Sequence, residues 1–243
     1  MNNEATLIDC QKASFGYEGK AVIRDLSFKI KSGDYLWVVG ENGSGKTTLI
    51  LGILKLLSPM EGSIIFCQSK IGYLSQQSVQ KKDFPAAVEE VVLSGNLNGM
   101  GLRPFYTARE KTRANEAMDR LGVKDLKRKC YRELSGGQQR RVLLARAFCA
   151  AQVNLSGGNE ASLLVLDEPA AGLDPLISTE VYELLKTLNQ ETGISIIMVS
   201  HDVSKAEQYA KNILHMENGL GFFDSSAAYL NTERGKKFLG EKL

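Results

Sequence analysis

Residues 40–47 form the strongest chemical pattern in the sequence. They read Gly-Glu-Asn-Gly-Ser-Gly-Lys-Thr and match G-x-x-x-x-G-K-[ST], in which glycines let successive backbone N–H groups converge on phosphate oxygens. Lys46 is expected to reach the β- and γ-phosphates of a nucleotide, and the Thr47 hydroxyl to ligate Mg²⁺. Chance would give such a match in roughly one or two chains per hundred, but here a buried strand precedes the loop and an apolar helix follows it. We therefore predict a nucleotide site with contacts from Gly40, Glu41, Asn42, Gly43, Ser44, Gly45, Lys46, Thr47 and Thr48.

A second group is the pair of acids that ends the apolar run Leu163–Leu166. Strands often end in exposed acids that have no special role, so Asp167 and Glu168 alone are a weak signal. In a chain that also carries a phosphate-binding loop, Asp167 is expected to hold Mg²⁺ through its water shell, and Glu168 to orient and deprotonate the attacking water. Alternation along a strand points the two side chains in different directions, which suits two separate roles.

A third group lies at residues 134–140, Leu-Ser-Gly-Gly-Gln-Gln-Arg. Taken alone, Ser135-x-x-Gln138 is most simply a capping box, in which two side chains bond the first backbone N–H groups of a helix. Together with the glycine-rich loop and Asp167-Glu168, in this order along the chain, it resembles the signature of ABC ATPases. The resemblance covers residues 5 to about 230.

The resemblance implies roles for several further residues. Tyr17 would stack on adenine, although a strand-end core tyrosine is the alternative. Gln76 would contact Mg²⁺ and transmit the nucleotide state to the partner, and the spacing after Tyr73 favours it over Gln77. His201 would sense the γ-phosphate. The implied catalytic residues are Glu168, His201, Gln76 and Lys46, the implied metal ligands are Thr47, Gln76 and Asp167, and the implied nucleotide contacts outside the loop are Tyr17, Ser135, Gly136, Gly137, Gln138 and Asp174.

The resemblance also implies a mechanism that one chain cannot complete. ATP on the loop of one copy would face the helix start at Ser135-Gly136-Gly137 of a second copy, which supplies an anion-binding helix N-terminus in trans. The segment Ala171–Asp174 would cross this homodimer interface. Two bound ATP molecules, each with Mg²⁺, would close the dimer, and hydrolysis would reopen it.

The elements that must position these groups alternate between strand and helix patterns, which predicts an α/β fold. With the resemblance, we expect one domain over residues 1–243, a P-loop NTPase of the ABC type with a mainly parallel sheet core, an N-terminal antiparallel β subdomain and an α-helical subdomain inserted at about 77–134. The predicted strands are Leu7–Phe15, Val22–Ile30, Tyr35–Val39, Ser63–Cys67, Ile71–Leu74, Leu163–Leu166, Ile194–Val199, Ile213–His215 and Gly221–Phe223. The predicted helices are Lys46–Leu57, Val88–Leu93, Thr107–Leu121, Gln138–Ala150, Ile177–Leu188 and Val203–Ala210.

The amino-acid composition bears on the binding partners of the protein and on its location in the cell. A net charge of +2, with acids and bases interspersed, gives no electrostatic reason to expect a nucleic-acid partner. The four cysteines form no Cys-x-x-Cys pair, so a structural zinc site is not expected, and Cys67 and Cys149 lie in apolar runs typical of buried reduced thiols. Neither a signal peptide nor a membrane-spanning run is apparent, which favours a cytoplasmic protein that lies on the inner face of the membrane through a permease.

One stretch departs from the family's pattern. Residues 151–162 form a longer link than usual between the signature helix and the next strand, and they contain a second Leu-Ser-Gly-Gly at 155–158. This copy lacks the following Gln-Arg and the apolar helix. We interpret it as a surface loop and not as a second signature.

The transporter or other system that such an ATPase would energise is inferred from sequence resemblance alone. The segments 83–95 and 34–43 resemble ATPases of zinc and manganese importers, and iron-chelate importers share parts of both. An importer would need a permease, docked in a groove lined by Phe84, Pro85 and Val88, and indirectly an extracytoplasmic solute-binding protein. The alternative is a non-transport ABC ATPase. Translation types carry two cassettes and repair types a long coiled coil, which leaves an iron–sulfur assembly subunit as the competing hypothesis.

Overall fold

The structure is a computed structural model that describes residues 5–67, 70–76, 85–152 and 162–238. The chain divides into two compact units. The first comprises Met1–Gln68 and Ser195–Leu243, and the second comprises Ser69–Ile194.

The strands within the described residues are β1 Thr6–Tyr17, β2 Lys20–Lys31, β3 Tyr35–Gly40, β4 Glu61–Phe66, β5 Lys70–Leu74, β6 Ser162–Asp167, β7 Ser195–Val199, β8 Asn212–Glu217 and β9 Leu220–Ser225. The helices there are α1 Lys46–Ile53, α2 Val88–Leu93, α3 Leu97–Met100, α4 Ala108–Arg120, α5 Gly136–Ala150, α6 Pro175–Thr192, α7 Val203–Tyr209, α8 Ser226–Leu230 and α9 Glu233–Phe238. Every predicted strand and helix is present, whereas α3, α8 and α9 were not predicted.

The first unit contains an antiparallel sheet and a mainly parallel one. Strands β2, β1 and β4 pair antiparallel in that order. Strand β3 lies between β7 and β8 and is parallel to both, while β9 runs antiparallel to β8. All six residues of β3 are buried, as the unbroken apolar run predicts for a strand covered on both faces. The predicted α/β class, with an antiparallel N-terminal sheet, is confirmed.

Helix α1 follows β3 through the glycine-rich loop and is shorter than predicted. It ends at Ile53, whereas the apolar pattern continues to Leu57. Lys55 adopts a left-handed conformation with φ 61°, and the N–H groups of Leu56 and Leu57 both donate to the carbonyl of Leu51. These bonds satisfy the Leu51 carbonyl in the last turn, where a helix end leaves carbonyls unpaired, so the turn terminates the helix.

The second unit pairs β5 with β6 in parallel, packs α5 on β5, and packs α2 and α4 on α5. The N-terminus of α4 has the predicted capping box, in which the Glu110 N–H donates to Thr107 Oγ1 and the Thr107 N–H donates to Glu110 Oε2. Its predicted apolar face is buried, including Met118 and Leu121. Helix α6 starts earlier than predicted because Asp174 caps it and Pro175 occupies its first turn, where a missing N–H costs nothing.

Two predictions about burial are wrong. Cys67 is exposed, since it lies just beyond the end of β4, an edge strand of the antiparallel sheet, whereas Cys149 is buried as predicted. Val88 is fully buried and its N–H donates to the Lys129 carbonyl, so it cannot line a groove for a permease helix. Pro85 is exposed, and Phe84 lies outside the described residues.

None of the helices in the described parts of the chain has both the length and the apolar character needed to cross a membrane.

Candidate functional site

The phosphate-binding loop joins the carboxyl end of β3 to the start of α1. Gly40, Gly43 and Gly45 adopt φ values of 147°, 82° and 106°, which residues with a Cβ rarely adopt. The loop is closed by a hydrogen bond from the Ser44 N–H to the Glu41 carbonyl, 3.2 Å long. Since the first N–H groups of a helix have no intrahelical acceptor, α1 adds donors at the same place.

Gly40 is required by packing as well as by conformation. A Cβ on this residue would lie 2.2 Å from the carbonyl oxygen of Met216 and 2.7 Å from Ser44 Oγ. Strand β8, which carries Met216, pairs directly with β3 at this level. The neighbouring strand therefore fixes the path of the loop at its first residue. Gly43 differs, because a Cβ there would meet no atom within 4 Å.

Lys46 is the first residue of α1, and its side chain lies over the loop. The ammonium donates to the carbonyl oxygens of Gly40 and Glu41, each at 2.7 Å, and the residue is only 9% exposed. An ammonium held above converging N–H groups suits the β- and γ-oxygens of a nucleotide. Ser44 Oγ is buried and has no hydrogen-bond partner among the described residues, which leaves it able to bond a phosphate oxygen. The loop residues therefore fit ATP.

Two further predicted site residues belong to the first unit. Tyr17 ends β1 and is 48% exposed, so the alternative of a buried core tyrosine does not hold. His201 is exposed two residues beyond the end of β7. The Ser200 N–H donates to the Val38 carbonyl of β3 at 3.2 Å, which ties this turn to the strand that leads into the phosphate loop. Both residues are thus accessible to a ligand.

In the second unit, the carboxyl ends of β5 and β6 lie side by side. Leu74 pairs with Leu166, so Gln76 and the pair Asp167-Glu168 follow adjacent strands at the same edge. Oxygen atoms are the ligands that Mg²⁺ prefers, so the amide of Gln76 and the carboxylate of Asp167 are each chemically suited to the predicted ion, as is the hydroxyl of Thr47 in the first unit. Tyr73 lies on the same strand pair, and its burial, together with the charge of Asp167, raises its pKa to about 12. Tyr73 therefore stays protonated at neutral pH.

Glu168 has an unusual backbone conformation. Its φ of 49° is left-handed, which costs a residue with a Cβ roughly 1–2 kcal/mol. The guanidinium of Arg140, a residue of α5, donates to the carbonyl oxygens of Asp167, Glu168 and Pro169, the first at 3.3 Å. Arg140 is 1% exposed, and burial lowers its pKa to about 10, so it is charged at neutral pH. A buried cation thus holds the turn that carries Glu168.

The residues of the predicted signature form the N-terminus of α5. Ser135 Oγ accepts from the Gln138 N–H at 3.3 Å, and Gln138 Oε1 accepts from the Ser135 N–H at 3.1 Å, which confirms the capping box. Cβ atoms built on Gly136 and Gly137 would lie 3.8 Å from Leu173 and 3.0 Å from Ile177. The helix start therefore packs beside the segment that leads to Asp174, whose carboxylate caps α6.

The structure thus brings together the predicted residues in sets. In the first unit these are the loop residues and His201, and in the second they are Gln76 with Asp167 and Glu168, and Ser135–Gln138 with Asp174. Their roles in binding and catalysis remain predictions. Gln77 and the second Leu-Ser-Gly-Gly at 155–158 lie outside the described residues. The sequence predicts no role for Arg140, because nothing in an Arg-Arg pair on a helix indicates which arginine is buried.

The chain is similar to known proteins over most of its length. The family model described as ABC transporter matches residues 23–171. A Chlamydia pneumoniae protein named "Probable metal transport system ATP-binding protein" is 34% identical over 85% of this chain and 83% of its own length. The zinc uptake system ATP-binding protein ZurA of Listeria innocua is 32% identical over 91% and 86%, and the manganese transport system ATP-binding protein MntB of Bacillus subtilis is 32% identical over 85% and 82%.

Solved structures give the same fold. The structure of cbiO1 from Clostridium perfringens, part of the ABC transporter complex cbiONQ, has a TM-score of 0.80 and 26% identity, and covers 99% of this chain and 96% of its own. An ABC transporter in an inward-facing conformation has a TM-score of 0.84 and 25% identity, covering 97% and 89%. The predicted ATPase fold is confirmed.

Proposed function

This chain belongs to the ABC transporter family, and from that premise we propose that it hydrolyses ATP to drive a membrane importer for a divalent metal ion, zinc or manganese. The observation that carries the proposal is the phosphate loop, where left-handed glycines free the backbone N–H groups and Lys46 lies over the loop. The metal is inferred from relatives named for zinc and manganese transport that match most of the chain.

In the proposed reaction, Lys46 and the loop N–H groups bind the phosphates, and Tyr17 stacks on adenine. Glu168 orients a water molecule and accepts its proton as the oxygen attacks the γ-phosphorus. The bond from that phosphorus to the bridging oxygen breaks, which yields ADP and phosphate. His201 contacts the γ-phosphate. Mg²⁺ held by Thr47, Gln76 and Asp167 would neutralise charge on the phosphate oxygens.

The active form is proposed to be a homodimer. Helix α5 begins with two glycines, Gly136 and Gly137, whose N–H groups have no intrahelical acceptor and can donate to a phosphate of ATP bound by a second chain. Ser135, Gly136, Gly137, Gln138 and Asp174 then contact ATP bound to the partner's loop. Each ATP needs both chains, so nucleotide binding drives association.

The permease is proposed to contact an apolar surface on the second unit. Leu97, Leu102 and Phe105 are 56%, 104% and 80% exposed, and they lie within ten residues of one another in the segment between α2 and α4. Large apolar side chains exposed together are typical of an interaction site. This surface replaces the groove predicted at Val88, and it would hold the protein at the inner face of the membrane.

Transport is tested by purifying the chain with its permease and measuring ATPase activity in vesicles. We expect a solute-binding protein loaded with Zn²⁺ or Mn²⁺ to stimulate hydrolysis several-fold, which is the usual sign of coupling across a transporter. Stimulation by an iron chelate, with no response to Zn²⁺ or Mn²⁺, would assign the chain to iron-chelate import instead. Failure to purify with any permease would favour the iron–sulfur assembly hypothesis.

The contact surface is tested in the same system. Leu102→Gln combined with Phe105→Gln should abolish purification with the permease while leaving the basal ATPase rate unchanged, because neither residue belongs to the site. Leu220→Gln, which changes a 45% exposed leucine on the first unit, is the matched control and should have no effect. A double variant that still purifies with the permease would show that the contact lies elsewhere.

A further inference from the structure

Arg140 links two functional parts of the second unit. It lies on α5, four residues after the first residue of that helix, and its guanidinium donates to three consecutive carbonyl oxygens at Asp167, Glu168 and Pro169. One end of this rigid helix is the start proposed to bind the ATP of the partner chain. The guanidinium contacts the turn that carries the proposed general base.

The turn is held by hydrogen bonds to its carbonyls. Those of Asp167, Glu168 and Pro169 lie beyond the last residue pair between β5 and β6, and Arg140 bonds all three, while the Glu168 carbonyl also accepts from the Ala171 N–H at 3.1 Å. Glu168 is left-handed there without being glycine, a conformation that persists only where the surroundings determine it. An arginine suits this task because its planar fork carries five N–H donors in fixed directions.

We propose that Arg140 is a positioning residue that couples the signature helix to Glu168, so that nucleotide bound by a chain's α5 controls hydrolysis by the same chain's Glu168. This inference rests on the proposed function, since it requires the ATP-bound homodimer. In that dimer, α5 contacts one ATP and Glu168 acts on the other. Arg140 therefore connects the two composite sites through a single chain.

The geometry supports transmission over this short path. From Ser135 to Arg140 the helix rises about 7.5 Å, which is less than two turns, so a shift at one end of this short path is carried to the other. Capping by Ser135 and Gln138 fixes the helix start, and packing at Gly137 leaves little room for an independent shift. A displacement of the helix start by bound phosphate would therefore shift the guanidinium and the carbonyls that it holds. A misplacement of about 1 Å at a reacting group can change a rate about 100-fold.

The test compares Arg140→Met and Arg140→Lys with a control one residue away. Arg140→Met keeps an unbranched apolar stem but removes every donor, and Arg140→Lys keeps a charge and three donors. Arg141→Gln removes only an exposed ion pair with Glu180, 2.5 Å long, so it controls for loss of an arginine on the same helix. For each variant we would measure kcat, KM and the Hill coefficient for ATP, the melting temperature, and Mg·ATP-driven dimerisation in the Glu168→Gln background.

We expect Arg140→Met to lower kcat about 10-fold or more, with KM and dimerisation changed less than about 2-fold, and to lower the Hill coefficient toward 1. Arg140→Lys should recover part of both kcat and the Hill coefficient, and Arg141→Gln should match the wild type. If Arg140→Met does not fold, Arg140→Lys serves as the test variant, and we expect it to lower kcat while KM and dimerisation change little.

Three results would overturn the proposal. They are a normal kcat and Hill coefficient in Arg140→Met, a loss of ATP-driven dimerisation in parallel with kcat, and a reduced kcat with an unchanged Hill coefficient. The proposed function fails separately, and this inference with it, if the wild type does not hydrolyse ATP and the Glu168→Gln variant does not dimerise with Mg·ATP.

Discussion

The phosphate loop and the turn at Asp167-Glu168 both follow a buried parallel strand, but they are built by opposite means. In the loop, glycines take the left-handed conformations and the contacts are local, since Lys46 bonds carbonyls five and six residues away. In the turn, a glutamate takes the left-handed conformation, and an arginine 28 residues away along the chain bonds its carbonyl.

The difference follows from which atoms each region uses. A loop that binds phosphate through backbone N–H groups needs no side chain at its strained positions, so glycine is the residue of lowest cost there. A turn that presents a carboxylate to water cannot use glycine, because the side chain is the functional group. It must be supported from elsewhere in the fold. Binding and hydrolysis should therefore be separable by substitution.

The largest effect that tests this separation is expected at Glu168. Glu168→Gln keeps the size of the side chain and its backbone contacts but removes the base, so turnover should fall at least ~100-fold with ATP affinity preserved. Steady-state hydrolysis and nucleotide titration of the same preparation check both parts. Glu207→Gln, an exposed glutamate on α7, is the control. Near-normal turnover in Glu168→Gln would refute the general-base assignment.

Lys46 tests the other side of the comparison. Lys46→Ala removes the charge-assisted contact with the phosphate oxygens, which contributes about 1.5–3 kcal/mol in all, so ATP affinity should fall about 10- to 100-fold. Turnover falls with it because binding comes first. Lys55→Ala, an exposed lysine just past the end of α1, should bind ATP normally. Unchanged affinity in Lys46→Ala would show that the loop is not the phosphate site.

The same contrast explains what the sequence could predict. The loop, the acid pair and the capping boxes at Thr107 and Ser135 are consecutive residue patterns, and each forms the local structure expected of it. The hydrogen bonds from Arg140 to the turn could not be predicted. Its partners are backbone carbonyls, which every residue has, so no residue type in the sequence marks them. The end of α1 was missed for a related reason, since a left-handed Lys55 has no glycine to mark it.

Burial of Val88 was missed because its apolar pattern suits both a partner groove and the core of this chain. Packing against the chain's own residues decides between the two, and the N–H bond from Val88 to Lys129 belongs to that packing. Sequence patterns therefore predict elements and local motifs well. They predict poorly which of two apolar surfaces will cover a residue.

The smallest effect sharpens the role of glycine within the loop itself. Gly40 and Gly43 are both left-handed, but only at Gly40 would a Cβ collide, at 2.2 Å from the Met216 carbonyl oxygen. Gly43→Ala should therefore lower the free energy of unfolding by about 1–2 kcal/mol, the cost of a left-handed conformation for a residue with a Cβ. Gly40→Ala should lose more and also weaken ATP binding, because β8 or the loop must move. Thermal unfolding and nucleotide titration of the two variants measure both effects. If Gly43→Ala weakened ATP binding as much as Gly40→Ala, conformation alone would set the loop's shape, and the contact with β8 would have no part in binding.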